Sequence, residues 1–393
     1  MADSKMMKAS VLEATRTMKI QDVPLPIMGP RDAMIRVDAV GLCGSDYHIY
    51  TGEANYHVDE RGLPVPLEVH PQILGHEVTG TIVDVGDGVL DLAAGDRVVI
   101  DQGLSCVSEG KEHLCEYCSS GFSHQCEWYR EFGITGLPGG LAEFIAVPAV
   151  NLIQVHSDRP AVETVMTEPL ACVLHSLETV MAAPARYQFN AVDPDQRVRC
   201  ALICGAGPAG LLFIQALRKI YNYQGSLVVS EPDPIKRKLA GEYGAETIDP
   251  GSTDLVDEIL TRTGGRRCEF FIDAAGVGLI FEQIPALIRT QATVLMYAHG
   301  HGGTSLEAMN AVQFRVPTLL CPCGASGGFD EDGRPSIYRR SLQLIEDGTI
   351  EVADLVTHLE SGLESVPTSF DQAYGSPGYI KAVTLIQGAG SGI

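Results

Sequence analysis

The stretch "CALICGAGPAGLLFIQAL", Cys200 to Leu217, decides the fold. A short apolar run ends at Cys204, glycines stand at Gly205, Gly207 and Gly210, and a long apolar run opens directly behind them. That order reads as a buried strand, a tight glycine turn and a helix whose N-terminus can face a phosphate. Glycines at this spacing permit a sharp turn, let backbone approach a pyrophosphate and allow close packing of helix on strand. Glu231 ends the next apolar run, "SLVVSE", 21 residues beyond Gly210. A carboxylate there accepts hydrogen bonds from an adenosine ribose and repels a 2′-phosphate. Gly205, Gly207, Gly210 and Glu231 are therefore expected to bind NAD, with Lys236 and Arg237 close enough in sequence to keep NADP as the alternative.

The pattern continues on both sides of this turn. After "SLVVSE" come the helical "PIKRKLAGEYGA", the short "ETID", the helical "STDLVDEILTRT", the strand "CEFFID", the helical "GLIFEQIPALIRT" and the strands "ATVLMYA" and "VPTLLC". Strands alternating with helices specify an α/β fold with a doubly wound parallel sheet. The first third differs: "AMIRVDAVGLC", "EVTGTIVDVG" and "DRVVID" are separated by Gly, Asp and Pro turns and read as an antiparallel β-rich unit. Three spans follow: a β-rich domain over 1–168, a dinucleotide-binding domain over 169–322, and a return over 323–393 through "SIYRRSLQLIEDGTI" and "IKAVTLIQ" to the first domain. The tail "GAGSGI" reads as flexible.

The chain has 393 residues, beyond what one core usually supports, with 45% hydrophobic and 20% charged residues. Its 50 acidic and 28 basic residues give a net charge of −22, which argues against nucleic acid and anionic membrane surfaces as partners. No signal peptide or membrane span is legible, so a cytoplasmic location is expected. In that reducing compartment clustered cysteines point to metal before disulfide.

Metal-type residues stand at the ends of strand-like runs. "GLCGSDYHIY" carries Cys43, Ser45, Asp46 and His48, "ILGHEVTG" carries His76 and Glu77, and "MTEPLACVLH" carries Glu168 with Cys172 four residues on. A thiolate, an imidazole and a carboxylate suit zinc, and three protein ligands leave a fourth position open for chemistry. Farther on, "CVSEGKEHLCEYCSSGFSHQC" holds Cys106, Cys115, Cys118 and Cys126, with eight, two and seven residues between them.

"GLCGSDYH", "GHE", "EPL" and "GAGPAG", in this order, resemble the zinc-dependent medium-chain alcohol and polyol dehydrogenases over nearly the whole chain. The resemblance implies a GroES-like β-rich catalytic domain interrupted by a Rossmann domain. It implies Cys43, His76 and Glu168 around a catalytic zinc, Glu77 as an exchanging carboxylate, and Asp46 hydrogen-bonded to His76. Glu168 at the "EPL" position points to the polyol, sugar and threonine dehydrogenase branch, with Cys172 as the rival ligand. The family's lobe of four cysteines implies a second, structural zinc on Cys106, Cys115, Cys118 and Cys126. Its first interval is expanded here, so Glu112 or His113 remains the alternative fourth ligand.

These residues imply hydride transfer from a secondary hydroxyl to NAD, with zinc as the Lewis acid and a proton relay through Ser45 and His48. His57, His70, His299 and His301 have no spacing that argues for a role, and solvated loops are their expected home. The expected substrate is a small polyol, cyclitol or sugar-derived molecule, and relatives of this kind are commonly dimers or tetramers, which implies a homo-oligomer. L-Threonine 3-dehydrogenase activity is the nearest alternative. A zinc-free reductase and a silent NAD-binding protein of the same fold are the rivals from other classes.

Overall fold

The run Cys200–Cys204 forms a fully buried strand near the middle of a six-stranded parallel sheet. This sheet belongs to a computed structural model that describes residues 5–386; the tail "GAGSGI" lies outside the described residues. The strand order is Glu246–Ile248, Ser226–Ser230, Cys200–Cys204, Cys268–Asp273, Ile288–Met296 and Thr318–Leu320, every neighbouring pair parallel. The third strand in chain order lies at one edge and the order reverses beside the first strand, which is the doubly wound dinucleotide-binding topology. Leu202, Val228, Phe271 and Val294 meet in its apolar core, fully removed from water. Burial of each such side chain stabilises the fold by roughly 1.5–3 kcal/mol.

Helices start where the sequence supplies caps. The Asp233 side chain accepts from the backbone N–H of Ile235 and Lys236 ahead of the helix Pro234–Glu242. Asp254 likewise accepts from Asp257 N–H ahead of Leu255–Arg262. The helix read through "GLIFEQIPALIRT" is shorter than expected. It runs over Gly278–Leu287 with Pro285 inside it, and the next strand already begins at Ile288. Proline removes an amide donor and so weakens any continuation of the helix.

The chain divides into two units, Met1–Ala171 with Ala325–Ile393, and Cys172–Gly324. In the first unit a seven-stranded sheet centres on Asp32–Leu42, flanked by Glu77–Val85 and by the late strand Lys381–Leu385. Both flanking pairs are antiparallel, and their register sets Gly41 opposite Glu77 and Leu42 opposite Ala382. The end of one strand and the starts of its two neighbours therefore meet at one end of the sheet. One pair departs from the antiparallel expectation: Val356–Ser361 runs parallel to Lys381–Leu385. The connection between them carries the 3-10 turn Leu363–Ser365 and the helix Val366–Gln372, which gives the chain the crossover a parallel pair needs.

Candidate functional site

Cys43 follows the strand Asp32–Leu42, and His76 precedes the strand Glu77–Val85, so the sheet register delivers both to the same end. Asp46, fully buried in the first turn of the helix Gly44–Thr51, fastens the two segments together. Its Oδ2 accepts from the Cys43 N–H at 2.9 Å and its Oδ1 from the Gly75 N–H at 3.0 Å. Gly75 has a φ of +89°, and a Cβ there would lie 2.7 Å from Val40, so glycine is needed for the approach. Asp46 Oδ1 also stands 3.5 Å from His76 Nδ1, as an ion-pair neighbour without the hydrogen bond expected between them. Burial pushes the His76 imidazolium toward deprotonation, but the Asp46 carboxylate and the Cys43 thiol outweigh it and raise the pKa.

Ligand atoms of Cys43, His76 and Glu77 lie within 4.8 Å of one another. His76 Nδ1 and Glu77 Oε2 are both buried without a hydrogen-bond partner. An orphaned carboxylate oxygen beside a thiol and an imidazole is what a borderline cation would satisfy, so the donor set fits zinc. Glu168 stands outside this cluster, buried in the first turn of the helix Thr167–Ala182, and its Oε1 accepts from Gln102 Nε2 at 3.0 Å. The adjacent carboxylate Glu77, expected only as an exchanging ligand, is thus the one drawn in. Cys172, the rival thiol, does not join the cluster among the described residues.

Lys381 was not legible as a site residue. It opens the strand Lys381–Leu385, is almost fully buried, and its ammonium contacts Glu77 Oε1. Burial disfavours that ammonium, but the charges of Glu77 and Cys43 outweigh it and keep it protonated. A lysine heading a closing run that is otherwise apolar was the available signal.

Ser45 Oγ lies 4.0 Å from Cys43 Sγ, and His48 follows on the same short helix with its Nδ1 2.7 Å from Glu53 Oε2. The His48 ring is about a quarter exposed and Glu53 largely so, which gives the imidazole a solvent-side carboxylate partner. His57 and His70 pack ring against ring at 4.6 Å, and the expected solvated setting holds for exposed His70 but not for half-buried His57. His301 is also held, its Nε2 2.8 Å from the buried Asp273 Oδ2.

A second constellation gathers Cys106, Cys115, Cys118 and Cys126, all buried, with sulfurs within 4.8 Å of one another. Cys106 Sγ lies 3.6 Å from Cys126 Sγ, and Cys115 Sγ 3.9 Å from the same atom. A tetrahedron with Zn–S bonds of about 2.3 Å has edges of about 3.8 Å, so the spacing fits a closed zinc site. Burial pushes the Cys115 thiol up, and the backbone N–H groups of Cys118 and Glu127 bring it down to about 6. Glu112 and His113 are exposed, so the expanded first interval brings Cys106 back as the fourth ligand atom of the cluster.

In the second unit the three glycines of the turn separate by role. Gly205 has a φ of +102°, and a Cβ at Gly210 would lie 2.1 Å from the Gly205 carbonyl oxygen. Both are required by the fold. A Cβ at Gly207, which caps the helix Pro208–Gln215, would meet nothing within 4 Å. The space beside it is a cradle at a helix N-terminus, suited to a pyrophosphate. Glu231, buried, accepts from Ala206 N–H at 2.8 Å and from Asp233 N–H at 2.9 Å, which fixes its carboxylate beside the turn. Arg237 is engaged with the Glu231 and Pro232 carbonyls and with Asp249, 3.2 Å away, so it is not poised for a 2′-phosphate.

Residues 29–157 match the alcohol dehydrogenase GroES-like domain family, and residues 208–337 match the zinc-binding dehydrogenase family. The chain is similar to the L-threonine 3-dehydrogenase of Pyrococcus furiosus, 30% identical over 351 residues with 89% of each chain covered. It is also similar to a sorbitol dehydrogenase of Arabidopsis thaliana, 28% identical over 357 residues, covering 89% of this chain and 87% of that one. Among solved structures, a Sinorhizobium meliloti 1021 protein described as a candidate zinc-binding dehydrogenase bound to NADP aligns with a TM-score of 0.76. It is 27% identical, and the alignment covers 97% of this chain and 99% of that one.

Proposed function

The chain belongs to the zinc-binding dehydrogenases with a GroES-like domain, and from that premise we propose that it oxidises a secondary hydroxyl of a polyol, cyclitol or sugar-derived substrate with NAD. The observation that carries this reading is the meeting of Cys43, His76 and Glu77, the last already neutralised by a buried lysine. Lys381 holds Glu77 as a buried ion pair, so drawing Glu77 onto a metal would leave a buried ammonium without its counter-charge. Cys43, His76 and Glu168 are therefore the residues that would hold the catalytic zinc, with Glu77 beside it. Cys106, Cys115, Cys118 and Cys126 would hold a structural one.

When bound, zinc supplies the Lewis acidity that lowers the pKa of a hydroxyl, and NAD supplies the hydride acceptor. Ser45, beside Cys43, would hydrogen-bond the substrate oxygen, and His48, beside Glu53, would take the proton toward solvent. Gly207 leaves room for the pyrophosphate, and the Glu231 carboxylate selects NAD by excluding a 2′-phosphate. The reading extends to a homo-oligomer in the cytoplasm; no described helix is long and apolar enough to cross a membrane.

A second reading, L-threonine as the substrate, is favoured by the 30% identity to the Pyrococcus furiosus enzyme. The test is NADH formation with polyols, inositols, sugar acids and L-threonine, beside a sample stripped by chelator. Turnover with a polyol that vanishes on stripping supports the proposal. Turnover with L-threonine alone replaces the substrate class, and turnover that survives stripping sinks the zinc reading.

A further inference from the structure

Gln102, 1% exposed, has both amide N–H groups and its carbonyl oxygen engaged by three residues far apart in sequence. Its Nε2 donates to Glu168 Oε1 and to Glu131 Oε1, each at 3.0 Å, and its Oε1 accepts from the Tyr338 hydroxyl. Carboxylates only accept, so the amide nitrogen must face the two glutamates, and the tyrosine hydroxyl then fixes the opposite oxygen. The amide has one orientation and one use for each N–H.

Gln102 itself and one of its partners, Glu131, belong to the base of the four-cysteine lobe. Gly103–Leu104 and Arg130–Glu131 pair as a two-stranded sheet, with Gly103 opposite Glu131. Gln102 immediately precedes the first strand, Cys106 follows it, and Cys126 precedes the second. The neighbouring Asp101 holds the lobe from inside: its Oδ1 lies 3.0 Å from Nε2 of buried His124, two residues before Cys126. The lobe thus closes on a short ladder, and the amide at its base bonds both Glu131 of the ladder and Glu168.

We infer that Gln102 is a positioning residue for the catalytic metal: it fixes the direction of the Glu168 carboxylate and ties it to the base of the four-cysteine lobe. The inference rests on the reading of Glu168 as a ligand. Hydrogen bonds to a ligating carboxylate fix its direction, and removing such a partner typically weakens metal binding about 10- to 100-fold.

The full-length protein, with its open site emptied by a mild chelator, is titrated with Co2+ against a chromophoric competitor, and the d–d absorption is recorded. Gln102→Leu is expected to weaken open-site Co2+ affinity about 10- to 100-fold and to shift the band, while the lobe retains its metal. Tyr338→Phe, a gentler change that keeps the amide but frees its rotation, is expected to weaken it about three- to tenfold, the scale of one hydrogen bond. Glu168→Ala separates the two levels. If Glu168→Ala weakens Co2+ binding but Gln102→Leu and Tyr338→Phe stay within twofold of wild type with an unchanged band, the positioning role is overturned. If Glu168→Ala itself leaves affinity unchanged, Glu168 is no ligand and the underlying reading falls first. A purely structural role for Gln102 would lower thermal stability without moving either the affinity or the band. Should Gln102→Leu fail to fold, Tyr338→Phe alone decides.

Discussion

Replacing Lys381 with methionine tests the buried charge at the end of the sheet that holds Cys43 and His76. The side chain of Lys381 is 3% exposed and its partner Glu77 0%; the ammonium contacts Oε1, and Glu77 Oε2 has no hydrogen-bond partner. Lys381→Met keeps the volume of the stem and leaves a carboxylate buried without its cation. Breaking such a pair costs about 3–5 kcal/mol, and for a unit of roughly 150–250 residues each kcal/mol lowers Tm by about 2–4 °C. Protein with the open site stripped should therefore melt about 6–20 °C below wild type. Adding Glu77→Gln removes the stranded charge, so the double variant should recover most of the loss. Zinc should shrink the deficit of the single variant, because a divalent cation supplies the missing counter-charge to Glu77. The measurements are scanning calorimetry and urea unfolding of the four members of the cycle, stripped and zinc-loaded. A stripped Lys381→Met protein within about 1 kcal/mol of wild type, or a double variant no better than the single, would refute the claim that this ion pair is what keeps Glu77 in place.

Three further outcomes follow from the geometry. Gly207→Val should fold with unchanged Tm yet bind NAD at least about tenfold more weakly, whereas Gly210→Ala, driven into the Gly205 carbonyl, should lose stability; calorimetry beside NAD titration distinguishes them. Glu231→Ala should cost about tenfold or more in kcat/KM with NAD, the scale of a hydrogen bond to a charged group, and narrow the preference over NADP; equal losses with both cofactors would count against a ribose contact. Arg334, whose guanidinium lies 2.6 Å from Asp91 and 3.0 Å from Asp332, holds both carboxyl groups below their usual range. A depressed carboxyl stabilises the fold above its unfolded pKa and loses that contribution as pH falls through the folded one. The Tm gap between wild type and Arg334→Gln should thus be full at neutral pH and close below about pH 4; a gap independent of pH contradicts the ion-pair account.

Local signals were legible and distant ones were not. The Gly205, Gly207 and Gly210 turn is written within a dozen residues, where strand, turn and helix are each set by neighbours in sequence. The four cysteines were equally visible, although only the folded lobe shows the expanded first interval bringing Cys106 home. The catalytic end was half visible. Cys43 and His76 advertise themselves as metal-type residues, but which carboxylate sits beside them depends on sheet register, and that favoured Glu77. Gln102 carried no readable mark and Lys381 only its place at the head of the closing run, since a lysine or glutamine looks solvent-bound until a partner 304 or 66 residues away, respectively, is brought against it.

The position of Lys381 also sets an order of events during synthesis. Glu77 acquires its counter-ion from a residue 304 positions later, on a strand that leaves the ribosome only after the whole Cys172–Gly324 unit has done so. Domains form as they emerge, N-terminal parts first, so the dinucleotide unit is free to fold while the first unit still lacks the strand that completes its sheet. Until that strand docks, Glu77 carries an unopposed charge at the very end of the sheet where Cys43 and His76 wait. Any nascent or truncated chain ending before Lys381 therefore presents a thiol, an imidazole and a bare carboxylate to whatever divalent ions surround it.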